Sequence, residues 1–591
     1  MGAQAGDCPE AGGFTLPSHQ GLTAAESAGR LAQHFSIISQ EFAALRLEDL
    51  PTEVRNTIEA RKLSQVPYIS RQMVEKKKKA AKKTKAGVKG DLPTKLMKEF
   101  GPEIARPAAQ IFRTVARTGK WPKRWKMEQG IPLEKTTNPK TEDDVRIISL
   151  TPFLSKIFEK FVVEWLATYI SDKIDVNQYG GRKGSSTSHY LIDFVTFILY
   201  NQDLKDAKAV VAAMVDFKKA FNRQDHATLI TILAEDLKVP GWLLFIIMGF
   251  LTERELVVSY GGETSEAMEM PGGGPQGTVL GMILFLVLIN KAGFAEGDRT
   301  IGTRITTAPS VRSAISNLHL KYVDDLTLLE SISLKDALSV DTSKQWERPL
   351  NFHERTEHIL KPDGLQLQAE LDKLSSYATL NKMKINQEKT KIMLFNSSKQ
   401  RDFQPNLVLE GKQLEVVEQM KLLGVIVTSD LKWHENTKHI TKKAFGRLWL
   451  LKRLKLMGAS TITLLDVYCK QVRSVLEFSA VVWESGLTQE NSTQIERAQK
   501  CAFAIILGAD YKSYEQACAR LSMETLNKRR KKLSLNFAKS AVKHPVHNSW
   551  FSENDSARQT RSVKQPYKPA QARTTRFLKS AIPYLTELLN Q

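Results

Sequence analysis

The stretch AKAVVAAMVDF, ending at Phe217, restricts this chain most. It is a continuous apolar run of strand length and composition, which predicts a central strand buried on both faces. Its last acid breaks the pattern. A carboxylate leaving an apolar strand either caps the next helix or binds a cation, and Asp216 followed by FKKAF suits both.

A second anomaly lies downstream in LKYVDDLTLLE, Leu320 to Glu330, which reads as strand, turn and strand. Asp is depleted in strands, and adjacent negative charges raise each other's proton affinity unless a cation answers them. Asp324 and Asp325 suit a solvated hairpin turn, or a site in which Asp324 and Asp216 meet across neighbouring strands. Clustered carboxylates with open positions suit Mg²⁺, which prefers oxygen ligands and keeps room for water and phosphate. Two such ions about 4 Å apart can stabilise both the attacking and the leaving oxygen of a phosphoryl displacement.

The bulk numbers agree with a polyanionic partner. The chain has 591 residues, a formal charge of +21 and a pI near 9.5, with Lys and Arg recurring along its length. That balance fits nucleic acid first and an anionic membrane second. A hydrophobic share of 42% supports several packed lobes rather than a disordered chain. Cys8, Cys469, Cys501 and Cys518 form no CxxC pair and no zinc spacing, which predicts reduced thiols in an intracellular protein. The start has no secretory pattern, and MGAQAG carries Gly6 where a myristoylation motif wants Ser or Thr. WLLFIIMGFL and VLGMILFLVLI are too short to span a bilayer, so a soluble protein without membrane partners is expected.

Residues 1–84 read as a loosely packed leader, helical around Leu31 to Leu45, and a lysine-rich linker that is solvated or touches phosphates. Helical spacing follows from Leu92 to Trp125 and from Phe153 to Ile170, with two strands around the polar loop between them. HATLITILAEDL is helical, ELVVSYGGET is a hairpin arm, and MPGGGPQGTVLG is a glycine-rich turn entering an apolar helix. A helix from Leu365 to Met383 leads to strand-like KIMLF, and beyond Trp433 the chain reads helical. SENDSARQTRSVKQPYKPAQARTTR reads as basic and disordered.

VVAAMVDFKKAF, PGGGPQGTVLG, YVDD, INQEKTKIMLF and KLLGVIV, in this order, resemble the palm motifs of reverse transcriptases, above all those of non-LTR retrotransposons (the LINE class, jockey-like branch). DLPTKLMKEFG, GKWPKRWKMEQGIPLEK, VRIISLTPFLSKIFEK and QYGGRKGSSTS resemble that family's fingers. HENTKHITKKAFGRLWLLKRL and RSVLEFSAVVWESGL resemble its thumb and the segment beyond. The resemblance implies an α+β right-hand polymerase with fingers, an antiparallel palm sheet, a helical thumb and a helical C-terminal extension. The implied division is fingers and palm over 85–430, thumb and extension over 431–550, and a basic, partly disordered tail over 551–591.

The implied activity is RNA-directed DNA polymerisation with two Mg²⁺ ions, or Mn²⁺ in their place. Asp216 and Asp324 would hold the metals, with the Phe217 carbonyl as a further ligand and Asp325 as the supporting acid. Phe221 would exclude the 2′-hydroxyl, and Gln276 and Gly277 would lie beneath the template base and nucleotide. Lys135 and Arg146 would reach the triphosphate, and Lys389 would protonate the leaving pyrophosphate. Arg182, Lys183, Lys442, Lys443 and Arg447 would contact the RNA template and the primer–template duplex. Ile147 and Met282 stand where the family usually has proline. The family's endonuclease domain, larger than the stretch before the fingers here, is expected to have no counterpart, so either nicking is supplied in trans or the chain is a truncated copy that no longer transposes alone. The compartment, nucleus or cytoplasm, is left open. The rival readings are a catalytically dead polymerase fold that binds nucleic acid, and a group II intron-type maturase.

Overall fold

The computed structural model describes residues 14, 16–80, 88, 90–91, 94–136, 138–206, 208–293, 310, 313–333, 366–396, 405–554 and 565–591. The chain forms two units. The first comprises Met1–Asp175, Phe217–Ala292 and Ser376–Ile385, and the second Val176–Asp216, Gly293–Ser375 and Asn386–Gln591. In chain order the strands that matter are β1 (Met127–Glu134), β2 (Val145–Leu150), β3 (Ala209–Val215), β4 (Glu255–Tyr260), β5 (Glu263–Thr264), β6 (Met268–Glu269), β7 (Asn317–Tyr322), β8 (Asp325–Ile332) and β9 (Lys391–Phe395).

In the first unit the sheet order is β2-β1-β4-β5, with β6 also on β4. β1 pairs antiparallel with β2 and parallel with β4. Alternation along β2 buries Val145 and Ile147 and leaves Arg146 outside, the period-2 pattern of a half-buried strand. Val145, Ile147, Leu256 and Val258 meet Ala28, Leu31, Ala32 and Phe35 of the helix Ala24–Ser39. The leader is therefore not loosely packed: its apolar stripe at helical spacing covers one face of this sheet. Thr23 and Glu26 close a capping box at its start. At its end Ser39 Oγ donates to Gly272 O (2.6 Å) and accepts from Gly272 N (3.0 Å).

The lysine run is likewise part built. Arg71–Lys79 is a helix, and Lys78 is buried with Nζ donating to Gly101 O at 3.1 Å. Lys77 pairs with Glu164. Residues 81–87 of the run lie outside the described residues. The expected helices appear as Gly101–Thr118 and Phe153–Ile170, whose Phe112 and Phe158 stack in an aromatic cluster with Trp121 and Trp125. HATLITILAEDL is a short α-helix, His226–Thr231, that continues as a π-helix over Ile232–Asp236.

In the second unit β3 is buried along its whole length, as its composition predicts. It pairs antiparallel with β8 on one edge and β9 on the other, and β7 extends the sheet beyond β8. The expected purely antiparallel sheet is in fact mixed. After a short hairpin (Val408–Leu409 with Lys412–Gln413) the chain returns beside β9 in the same direction, and Glu415–Val416 pairs parallel with it. The helix Thr187–Gln202 packs over the sheet, with Tyr190 Oη donating to Thr327 Oγ1 at 2.6 Å. Beyond the hairpin of Gln419–Leu422 and Val425–Thr428, the helix His434–Leu456 buries Ile440, Ala444, Leu448 and Leu451 as its spacing predicts. One core continues from Val210 and Phe395 through these residues to Trp483, Phe503 and Phe577.

The basic tail is ordered where it is described. The Asp203 carboxylate accepts from Arg573 N (3.0 Å) and Thr574 N (2.6 Å), and Ala581, Ile582 and Leu585 are buried. Residues 555–564 lie outside the described residues. Among the described residues Cys469, Cys501 and Cys518 form no disulfide, and Cys8 lies outside the described residues. Among the described residues, no helix is long and apolar enough to cross a membrane.

Phe395 of β9 is fully buried and meets Phe194 edge-on at 5.8 Å. Phe395→Ala is expected to cost about 3–5 kcal/mol, read as a lowered thermal midpoint of the full chain.

Candidate active site

The register of three strands assembles the acids. Val215 stands opposite Leu326 across β3 and β8, and Tyr322 stands opposite Asp325 across β7 and β8. Asp216 is the next residue of the β3 chain and Asp325 the preceding one of β8, so both leave the sheet at the same end. Asp324 lies between them and β7, in a two-residue hairpin turn with Val323. Val323 has φ +61°, in the left-handed region that such turns normally fill with glycine. For a β-branched residue that conformation costs roughly 1–3 kcal/mol.

Charge follows from this crowding. Asp325 is open to solvent on one side, yet the protein around its carboxyl pushes its pKa up to about 6, and the charges of Asp324 and Asp216 add to the rise. Asp216 is half-buried, and burial lifts its carboxyl above the usual range. The Lys389 ammonium and a hydrogen bond from the Asn386 side chain oppose that rise. The segment 386–390 wraps the end of β3: Asn386 N donates to Asp216 O (2.7 Å), and Asp216 N donates to Thr390 Oγ1 (3.3 Å). Thr390 Oγ1 in turn donates to Asn386 O at 2.8 Å. Sequence reasoning singled out Lys389 here and missed Asn386 and Thr390. Their signal was the motif INQEKT itself, whose small polar residues can bond backbone locally.

Phe217 is buried in a bridge with Ile385. The flanking hydrogen bonds run from Lys218 N to Lys384 O and from Asn386 N to Asp216 O, so the Phe217 carbonyl takes no part in them. Among the described residues, no three His, Cys, Asp or Glu side chains gather as a complete metal cage. Hard carboxylate oxygens whose mutual repulsion raises a pKa still fit a divalent cation that keeps water and phosphate among its ligands.

The expected nucleotide-binding residues belong to the first unit. Lys135 and Arg146 stand on the two arms of the β1–β2 hairpin, where Arg146 faces Leu133 across the register. Arg146 is exposed, whereas Lys135 turns its ammonium onto Asp143 O at 2.7 Å. Phe221 stacks on Phe285 with ring centroids 4.7 Å apart, and Phe221 O accepts from Gly274 N at 2.7 Å. Gln276 O accepts from Ser149 N of β2 at 2.8 Å, and Gly277 has φ +118° with Ser149 O 2.9 Å from where a Cβ would sit. A side chain at 277 would break this approach. Glu159, which sequence reasoning missed, is fully buried and accepts from Val279 N (2.9 Å) and Leu280 N (3.2 Å). It anchors the start of the helix Val279–Leu288 through these two hydrogen bonds.

The expected nucleic-acid contacts belong to the second unit. Lys183 is exposed in the loop around Gly181 and Gly184, and Arg182 is half-buried there. Lys442 and Lys443 are exposed on the helix His434–Leu456, while Arg447 donates to Gln471 O.

The reverse transcriptase (RNA-dependent DNA polymerase) family matches residues 138–427. The match encloses the ordered acids and their wrapping segment. Residues 138–427 carry a reverse transcriptase domain. The chain is 24% identical over 410 residues to the probable RNA-directed DNA polymerase from transposon BS of Drosophila melanogaster, covering 68% of this chain and 40% of that protein. It is 32% identical over 252 residues to the RNA-directed DNA polymerase from mobile element jockey of the same species, covering 41% of this chain and 26% of that protein. The chain thus spans well under half the length of these relatives. Of the candidate residues, Lys135, Lys442, Lys443 and Arg447 lie outside the matched reverse transcriptase segment.

An acid whose folded pKa is raised costs stability above its unfolded pKa. For Asp325 that cost begins as pH rises through about 4 and is complete above about 6. Asp325→Asn is therefore expected to raise the thermal midpoint of the metal-free chain at pH 7.5, with the gain vanishing below about pH 4. An unchanged or lowered midpoint at pH 7.5 would count against repulsion among the three acids.

Proposed function

We propose that this chain extends a primer 3′-hydroxyl on an RNA template with deoxynucleoside triphosphates. The observation that carries the reading is the register of β3, β7 and β8, which brings Asp216, Asp324 and Asp325 to one sheet end. In this reading Asp216 and Asp324 hold two Mg²⁺ ions, or Mn²⁺, with the Phe217 carbonyl and Asp325 in support. Bound there, the ions would stabilise the attacking and leaving oxygens of the displacement.

The chain's own residues do the rest by position and charge. Lys389, exposed beside Asp216, donates a proton to departing pyrophosphate. Arg146 forks onto the triphosphate, with Lys135 joining it once released from the Asp143 carbonyl. Phe221, held by Phe285, blocks a 2′-hydroxyl, and Gln276 and Gly277 seat the nascent base pair. Arg182, Lys183, Lys442, Lys443 and Arg447 hold template and duplex by phosphate contacts. The division into fingers and palm over 85–430, helical thumb and extension over 431–550 and tail over 551–591 belongs to the same proposal. So does a nicking endonuclease acting in trans.

Primer extension on an RNA template, with Mg²⁺ and then with EDTA, tests this. Asp324→Ala is expected to lose about 10²–10³-fold in rate, as for removal of another group that stabilises transition-state charge, and EDTA should abolish synthesis by the wild type. Salt-sensitive duplex binding without nucleotide addition would sink the proposal in favour of a polymerase fold without its reaction.

A further inference from the structure

The strained turn that carries Asp324 is held from outside its own hairpin. The segment 177–180 runs parallel to β7. Lys321 N donates to Asn177 O (2.9 Å), Tyr179 N donates to Lys321 O (2.8 Å), and Gln178 is the bridge partner of Lys321. Gln178 is 2% exposed. Its Oε1 accepts from Gly180 N at 2.9 Å and from Val323 N at 3.0 Å. Those two donors fix which end of the amide is oxygen, because a flip would set an NH₂ against two N–H groups. Among the described residues, Gln178 Nε2 is left buried with no hydrogen-bond partner, a cost the site carries.

Gly180 makes the approach possible. A Cβ there would lie 2.6 Å from both Val323 N and Val323 Cγ2. Glycine at 180 and an acceptor at 178 are thus two halves of one clamp on Val323, the residue with φ +61°. Left alone, a valine amide would relax toward the extended region and carry Asp324 with it.

We infer that Gln178 is a positioning residue of the polymerase site: its side-chain oxygen holds the Val323 amide and so sets where Asp324 presents its carboxylate. Gln178 touches neither nucleotide nor primer in this account and acts through the turn. The catalytic consequence rests on the proposed polymerase function; the clamp itself does not.

The test is a double-mutant cycle in the full chain with two readouts that need no turnover. Gln178→Met keeps the length and removes the acceptor, and Gln178→Glu keeps the acceptor. Val323→Gly removes the need for a clamp, because glycine takes positive φ freely. Amide hydrogen exchange of Val323 in metal-free protein reads the clamp, and Mn²⁺ binding followed by electron paramagnetic resonance reads the acids. Gln178→Met is expected to speed Val323 exchange and to raise the half-saturating Mn²⁺ concentration about ten-fold, the size of effect seen when a metal ligand loses its orienting partner. Gln178→Glu is expected to keep Val323 protected. In the Val323→Gly background, Gln178→Met is expected to change Mn²⁺ binding by less than about two-fold.

Equal loss of Mn²⁺ binding in both backgrounds would overturn the inference, because Gln178 would then act by some route other than the strained amide. Unchanged Val323 exchange in Gln178→Met would overturn it too, as would faster exchange with unchanged Mn²⁺ binding. A wild type that protects Val323 and binds Mn²⁺ but makes no DNA would fail the proposed function and leave the clamp standing.

Discussion

Strand β3 must bury every peptide group it has, and the second unit is arranged around that demand. An interior strand has no water to take its N–H and C=O groups, so both edges have to be paired. Strands β8 and β9 supply the pairs. Once both registers are set, the residue after Val215 has no freedom about which neighbours it meets: Asp325 arrives from one edge and the 386–390 segment from the other. A one-residue slip would turn every side chain of β3 to the wrong face. The register that satisfies the backbone is therefore also the one that sets the acids together, and the charge repulsion there is tolerated because the sheet cannot relax it.

The first unit solves a different problem, that of holding a glycine-rich loop still. Glycines permit close approach but bring entropy with them. Here the loop is tied at several points: Gly272 to Ser39, Gly274 to Phe221, Gln276 to Ser149, and the helix that follows to the Glu159 carboxylate. Burial pushes the Glu159 carboxyl above the ordinary range, while the backbone donors of Val279 and Leu280 favour its charged form. A buried carboxylate of this kind is stable only while its donors stay in place.

Much of this was legible from local pattern. The apolar run before Asp216, the strand–turn–strand around Asp324 and the buried face of the helix His434–Leu456 all carry their period in the sequence. Long-range partners leave no such mark. Glu159 reads as one more surface charge on an amphipathic helix until the backbone of Val279 is placed against it. Gln178 lies 145 residues from the amide it holds. The packing of the leader is hidden for a related reason: the stripe of Leu31 and Phe35 is visible, but the residues it covers, Val145, Ile147, Leu256 and Val258, lie far along the chain. Lys78 was hidden by its neighbours, since one buried lysine among exposed ones has no compositional signature.

The bond between Ser39 and Gly272 bears on where this reverse transcriptase domain begins as a physical object. The match to the reverse transcriptase family starts at residue 138, whereas the hydroxyl that both donates to and accepts from the first loop glycine comes from nearly a hundred residues earlier. A helix outside the matched segment is here built into the floor of the loop. The edge of what is shared and the edge of what folds together are different boundaries, and a cut made at the first would pass through the middle of the second.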